Sequence, residues 1–121
     1  MIKVIVVDDS KVLRERLIEM LAEISGIQII GQAANSADAL KSIRKLQPDM
    51  VVLDIQMPGG TGIEIIPTIK QQKFSPAIII FTNFPYPQYR KKCKEAGADY
   101  FFDKSTEFET LVNLFNKLNH N

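Results

Sequence analysis

Only one cysteine, Cys93, occurs in the 121 residues, so no internal disulfide can form and a reducing compartment is expected. No catalytic histidine accompanies it. The one histidine, His120, lies at the tail without a partner pattern and reads as a solvated terminal residue. Neither sign of charge predominates: the formal net charge is +1, so composition points to neither nucleic acid nor a membrane surface. No run approaches the roughly 18 apolar residues of a membrane span. The N-terminal apolar stretch is short and runs straight into two aspartates, unlike a signal peptide, and a cytoplasmic location is expected. Repeats, low-complexity segments and linkers are also missing. What is present is a 45% apolar chain of a length that fits one domain, residues 1–121, around a single core.

Five apolar runs alternate with amphipathic segments: Ile2–Val7, Ile27–Ala33, Met50–Leu53, Ala77–Phe81 and Tyr100–Phe102. Four are nearly unbroken, as strands buried on both faces should be. The second is diluted by Gln28, Gly31 and Gln32, which predicts an edge position. Between the runs the period turns helical. Leu13, Leu17, Met20, Leu21 and Ile24 form one stripe; Ala39, Leu40, Ile43 and Leu46 a second; Phe108, Leu111, Val112, Phe115 and Leu118 the last.

Punctuation agrees. Ser10 can cap the first helix and Gly26 can end it; Asn35 or Ser36 can cap the second, and Pro48 follows its end. Thr106 and Glu109 have capping-box spacing before the last helix. Pro67 falls inside the third helix and predicts a kink or a late start, and Pro85 and Pro87 delay the fourth, predicted from about Pro87 to Ala96. Strand–helix alternation implies right-handed crossovers and a three-layer α/β sandwich.

Four of the apolar runs lead into residues suited to phosphoryl chemistry. The first meets Asp8 and Asp9, the third Asp54, the fourth Thr82, and the fifth Asp103 and Lys104. If these are parallel strands of one sheet, the Asp8, Asp9 and Asp54 carboxylates, the Thr82 hydroxyl and the Lys104 amine gather on one edge. Open α/β sheets hold their ligands at that edge. Clustered carboxylates repel one another and call for a divalent cation. The ammonium and hydroxyl then suit an anion beside it.

The motifs VVDDS (6–10), LDIQMPGGTG (53–62), FT (81–82) and DKS (103–105) resemble those of the receiver domains of two-component response regulators, and the match covers essentially the whole chain. The resemblance implies a flavodoxin-like fold with five helices and a five-stranded parallel sheet of order 2-1-3-4-5, the order the chemotaxis member of this family illustrates. It implies that Asp54 is the phosphoacceptor and that the donor is a phosphohistidine on a histidine kinase or a histidine phosphotransfer protein. Mg²⁺ would be held by Asp8, Asp9, the Asp54 carboxylate and the Gln56 backbone carbonyl, with Asp9 binding directly and Asp8 largely through water. Lys104 would pair with Asp54 at rest and with a phosphoryl oxygen afterwards, and Thr82 would bond another phosphoryl oxygen. Phosphorylation would draw Thr82 inward, Phe101 would fill the space, and the surface of the fourth helix, fifth strand and fifth helix would change its preference for a downstream partner or a second copy. Plain core packing competes evenly with switching as the role of Phe101. The α1 surface near Lys11, Val12 and Glu15 is the implied kinase-docking region, against the reading of an ordinary amphipathic helix end.

Some residues depart from the family pattern. Asn83 follows Thr82 where a small residue is usual, which predicts slower phosphorylation by small donors. Phe101 stands where tyrosine is frequent. Ser105 replaces the frequent proline after Lys104. A cis bond there would cost about 3 kcal/mol more than at a proline, so either a trans or a strained cis bond is expected. Asp103 is acidic where an apolar residue is usual, with no account from sequence. By the resemblance, Gln56 falls near the expected path of the hydrolytic water and would tune phosphate lifetime, in a direction the sequence does not give.

The starting methionine and lack of a linker-like tail mildly favour a single-domain regulator, a phosphoacceptor signalling protein that catalyses only its own phosphorylation and dephosphorylation, over the receiver of a transcription factor or of a kinase fusion. The alternative is a phosphorylation-independent adaptor with the same fold. A haloacid dehalogenase-type phosphatase would place two aspartates one residue apart after the first strand, whereas Asp8 and Asp9 are adjacent. A flavodoxin-like flavin carrier needs a hydroxyl- and glycine-rich phosphate loop there, and two aspartates would repel the flavin phosphate.

Overall fold

The computed structural model describes residues 1–57 and 60–119; His120, and Pro58 and Gly59 of the third-strand motif, lie outside them. The chain alternates β1 (Ile2–Val7), α1 (Lys11–Ala22), β2 (Ile27–Ala33), α2 (Ser36–Leu46), β3 (Met50–Leu53), α3 (Gly62–Lys70), β4 (Ala77–Thr82), α4 (Pro87–Ala96), β5 (Tyr100–Asp103) and α5 (Phe108–Asn119). A short antiparallel ribbon, Gln56–Met57 against Gly60–Thr61, stands between β3 and α3. The five main strands form one parallel sheet in the order β2-β1-β3-β4-β5. This is the expected 2-1-3-4-5 arrangement.

Side chains alternate across the sheet and build two cores. Val4, Val6, Val52, Ile79 and Phe81 pack with Leu17 and Leu21 of α1 and Leu111 and Phe115 of α5. Ile5, Val7, Val51, Leu53, Ile78 and Ile80 pack with Ile43 of α2, Ile66 and Ile69 of α3 and Cys93 of α4. Each fully buried aliphatic side chain contributes about 1.5–3 kcal/mol relative to exposure. The central strands β1, β3 and β4 are buried on both faces, which explains their unbroken apolar sequences.

The second apolar run does form an edge strand, with a register shift that sets Gly31 opposite Ile5. The fifth is the other edge and is only partly buried, contrary to the expectation of burial on both faces; Tyr100 is exposed and stacks on Phe102 at 6.2 Å. Ser10 caps α1 by accepting from the Leu13 N–H, and Asn35 caps α2 by accepting from the Asp38 N–H. Gly26, with φ +87°, lies three residues beyond the α1 C-cap, Glu23. α3 runs through Pro67 without a break.

Two local expectations are corrected, and one left open between two outcomes is decided. Leu13 and Met20 belong to the α1 stripe by spacing but remain exposed, because α1 buries only the narrower face around Leu17 and Leu21. Thr106 does not open a capping box with Glu109: its hydroxyl donates to Asp103, and α5 begins at Phe108. The Lys104–Ser105 bond is trans.

Candidate phosphorylation site

The C-terminal ends of β1, β3, β4 and β5 carry the residues that the sequence singled out. Parallel pairing aligns Val7 with Leu53, so Asp8 and Asp54 leave adjacent strands side by side, and the Asp54 N–H donates to the Val7 carbonyl at 3.0 Å. Both aspartates are buried, whereas Asp9 is exposed. One carboxylate oxygen from each of Asp8, Asp9 and Asp54 falls within 4.8 Å of the others.

Lys104 leans into this group from the end of β5. Its Nζ lies 2.5 Å from Asp8 Oδ2 and 3.1 Å from Asp54 Oδ2, and all three side chains are less than a tenth exposed. The expected resting pair with Asp54 is present, joined by a second, shorter contact to Asp8. Asp8 Oδ1 accepts from the Ser10 N–H at 2.9 Å, so both Asp8 oxygens are engaged. Asp54 Oδ1 is different: it is buried and, among the described residues, has no partner in hydrogen-bonding geometry, the Gln56 amide acting on the carboxylate only weakly. An orphaned buried carboxylate oxygen costs free energy and marks a site shaped for a further ligand.

The electrostatics follow. Burial lifts the Asp54 carboxyl above the ordinary carboxylate value, Lys104 opposes that lift, and the Asp8 charge adds to it. Burial disfavours the charge on Lys104, but its bonds to Asp8 and Asp54 outweigh burial and hold it above the ordinary lysine value. One ammonium among three carboxylates leaves the cluster short of positive charge. Hard oxygen donors, an excess of negative charge and an unpartnered Oδ1 fit Mg²⁺, which takes a few carboxylates and keeps several waters.

Thr82 ends β4 in register with Asp103 and is fully buried. Its carbonyl accepts from the Lys104 N–H at 2.8 Å, which ties it to the lysine through the backbone. Its hydroxyl oxygen accepts from the Phe84 N–H at 3.0 Å; among the described residues it makes no hydrogen bond to Asp54, Asp8 or Lys104. Gln56 is exposed in the ribbon two residues after Asp54. Phe101 is half-buried against the α2–α4 core, with the Arg90 guanidinium 4.5 Å from its ring centre. Val12 is exposed on α1, beside the Lys11–Glu15 pair at 4.0 Å.

Three contributors escaped the sequence reading. Arg14 Nη1 donates to the Asp8 carbonyl at 2.7 Å while its Nε donates to Gln32 Oε1, bracing the loop that carries Asp8 and Asp9. Only its place one turn into the helix after VVDDS hinted at this. Gly62 starts α3 so close to β3 that a Cβ would strike the Asp54 carbonyl. The last glycine of LDIQMPGGTG carried that signal. Asp103 organises the loop after β5, and its signal was the Ser-Thr pair two residues on, a side-chain turn signature. A cavity of about 210 Å³ adjoins the cluster, with Asp8, Lys104 and Asn83 on its polar side and Leu17, Phe81 and Phe108 on its apolar side.

Residues 4–116 match the response regulator receiver domain. The chain is 36% identical over 98% of its length to an uncharacterized response regulatory protein of Vibrio cholerae, covering 48% of that protein. It is 35% identical over 93% of its length to the response regulator GacA of Pseudomonas aeruginosa, covering 52%. It thus spans about half the length of these curated relatives. Among solved structures, that of a DNA-binding response regulator of the LuxR family from Staphylococcus aureus aligns with a TM-score of 0.88 at 31% identity, covering 98% of this chain and 99% of that one. Fold, strand-end chemistry and sequence therefore agree: the chain belongs to the response regulator receiver domain family, whose members are phosphorylated on an aspartate in two-component signalling.

Proposed function

We propose that Asp54 is the phosphoacceptor of this receiver and that Asp8, Asp9, Lys104 and Thr82 serve its reaction. The observation that carries this reading is the state of the Asp54 carboxylate: buried, held on Oδ2 by Lys104, and unpartnered on Oδ1 among the described residues. Receiver domains accept phosphoryl groups from histidine kinases; here the immediate donor is a phosphohistidine of a kinase or a phosphotransfer protein. An Asp54 oxygen forms the new O–P bond as the P–N bond of the donor breaks. The electron pair returns to the imidazole, which takes up a proton from solvent.

Asp8, Asp9, Asp54 and the Gln56 carbonyl would hold Mg²⁺, which when bound offsets negative charge on the phosphoryl group. Lys104 turns from Asp54 to a phosphoryl oxygen, keeping its bond to Asp8 as a pivot. Thr82 gives up its contact with the Phe84 amide and donates its hydroxyl to the phosphoryl group. That movement biases the surface of α4, β5 and α5, where Tyr100 is exposed, toward a downstream partner or a second copy. Among the described residues no helix is long and apolar enough to cross a membrane.

The test is the intact mass of the protein after incubation with phosphoramidate and Mg²⁺. One added phosphoryl group, lost with EDTA, is expected. No adduct, together with no binding of fluoroberyllate, moves the assignment to a phosphorylation-independent adaptor.

A further inference from the structure

Lys104 has a long side chain with much rotamer freedom to lose on ordering. Its ammonium is nonetheless buried between two carboxylates, so its backbone must leave β5 in one direction. On the N-terminal side the sheet supplies this: Asp103 pairs with Thr82, and the Lys104 N–H reaches the Thr82 carbonyl. On the C-terminal side neither a proline nor a cis bond constrains the chain.

What holds that side is Asp103. Its Oδ1 accepts from the Ser105 N–H and the Ser105 hydroxyl, both at 2.9 Å, and its Oδ2 accepts from the Thr106 hydroxyl at 3.1 Å. Its N–H donates to Glu107 Oε1 at 3.0 Å, and its carbonyl accepts from the Glu107 N–H at 2.8 Å. Every polar group of Asp103 is therefore spent on Ser105, Thr106 and Glu107. These bonds favour the ionised carboxyl and hold it below the usual range.

We propose that Asp103 is a positioning residue for Lys104: its carboxylate gathers Ser105 and Thr106 into one turn and so aims the lysine at Asp8 and Asp54. Asp103 touches no reacting group itself. The aiming concerns the resting protein, while its consequence for phosphorylation rests on the function proposed above.

The lysine ammonium ¹H–¹⁵N spectrum of the metal-free protein tests it, with Lys104 assigned by the resonance lost in Lys104→Arg. A slowly exchanging Lys104 ammonium is expected in the wild type. It persists in Asp103→Asn, which keeps an acceptor oxygen for Ser105, and is lost from Asp103→Ala. The Ser105→Ala/Thr106→Ala pair removes two donors, leaves Asp103 in place, and is expected to lose the resonance too; it stands in if Asp103→Ala does not fold. An unchanged Lys104 resonance in Asp103→Ala or in the double variant overturns the proposal. So does equal loss in Asp103→Asn, or a wild-type ammonium already in fast exchange. In parallel, labelling of Asp103→Ala by phosphoramidate slows about ten-fold at unchanged Mg²⁺ affinity, the scale expected of a small misplacement. Absence of labelling in the wild type contradicts the phosphoacceptor reading alone, and the ammonium spectrum still decides the role of Asp103.

Discussion

The Lys104 ammonium is closer to Asp8, at 2.5 Å, than to Asp54, at 3.1 Å. Asp8 therefore acts as the anchor of the lysine and Asp54 as its more loosely held partner. The looser bond suits the acceptor role proposed for Asp54, which would exchange this contact for bonds to a phosphoryl group and a metal.

Asp54→Asn stabilises the metal-free protein at neutral pH. The folded Asp54 carboxyl titrates above its unfolded value, so the folded state binds the proton more tightly. Stability then falls as pH rises from the ordinary carboxylate range through the folded pKa, and the amide removes that loss. Thermal melts in EDTA should show little difference between the two proteins well below pH 4 and a higher Tm for Asp54→Asn at pH 7. Mg²⁺ raises the wild-type Tm, by about 2.7 kcal/mol of stability at a hundred-fold excess over Kd, and helps Asp54→Asn less. A lower Tm for Asp54→Asn at pH 7 contradicts this electrostatic account.

Gly62→Ala injures the site from behind. The new Cβ meets the Asp54 carbonyl, and the Gly62 N–H is already bonded to the Ile55 carbonyl at 2.6 Å, so α3 has no room to retreat. A loss of about 1–3 kcal/mol in urea unfolding is expected, with slower labelling of the folded variant. Wild-type stability and rate together would show that α3 yields freely.

Asn83→Ala speeds labelling by small donors. Asn83 shares the cavity beside the cluster with Asp8 and Lys104, so a methyl group in its place widens the approach. Acetyl phosphate and phosphoramidate should both react faster with the variant. Equal rates would sink the idea that this side chain narrows access.

Cys93 is inert in the folded protein. Its side chain is fully buried in the α2–α4 core, and burial pushes its thiol up to about 11. The reactive thiolate is scarce at pH 8, and reagents cannot reach it. A chromogenic disulfide reagent should modify it only after urea is added; prompt reaction in native buffer points to an α4 that opens easily.

Much of this fold could be read because β1, β3 and β4 are central parallel strands, whose burial on both faces leaves continuous runs such as Ile2–Val7. The site was readable for a related reason: Asp8, Asp54, Thr82 and Lys104 lie at or next to strand ends, so topology alone gathers them. What escaped depends on side-chain reach. Spacing cannot tell that Leu13 stays exposed while Leu17, one turn on, is buried. Nor can it tell that Thr106 turns back to Asp103 and so leaves the predicted cap of α5 unmade. The shorter contact of Lys104 with Asp8 and the brace from Arg14 are likewise set by packing, not by order along the chain.

The most direct test locates the phosphoryl group. Protein labelled with phosphoramidate and Mg²⁺ is reduced with borohydride, which converts an aspartyl phosphate to homoserine, and the peptides are sequenced by mass spectrometry. Homoserine at position 54 alone, absent without the donor, is the result the account predicts. Homoserine at position 8, 9 or 103, or labelled protein without any at position 54, would contradict it.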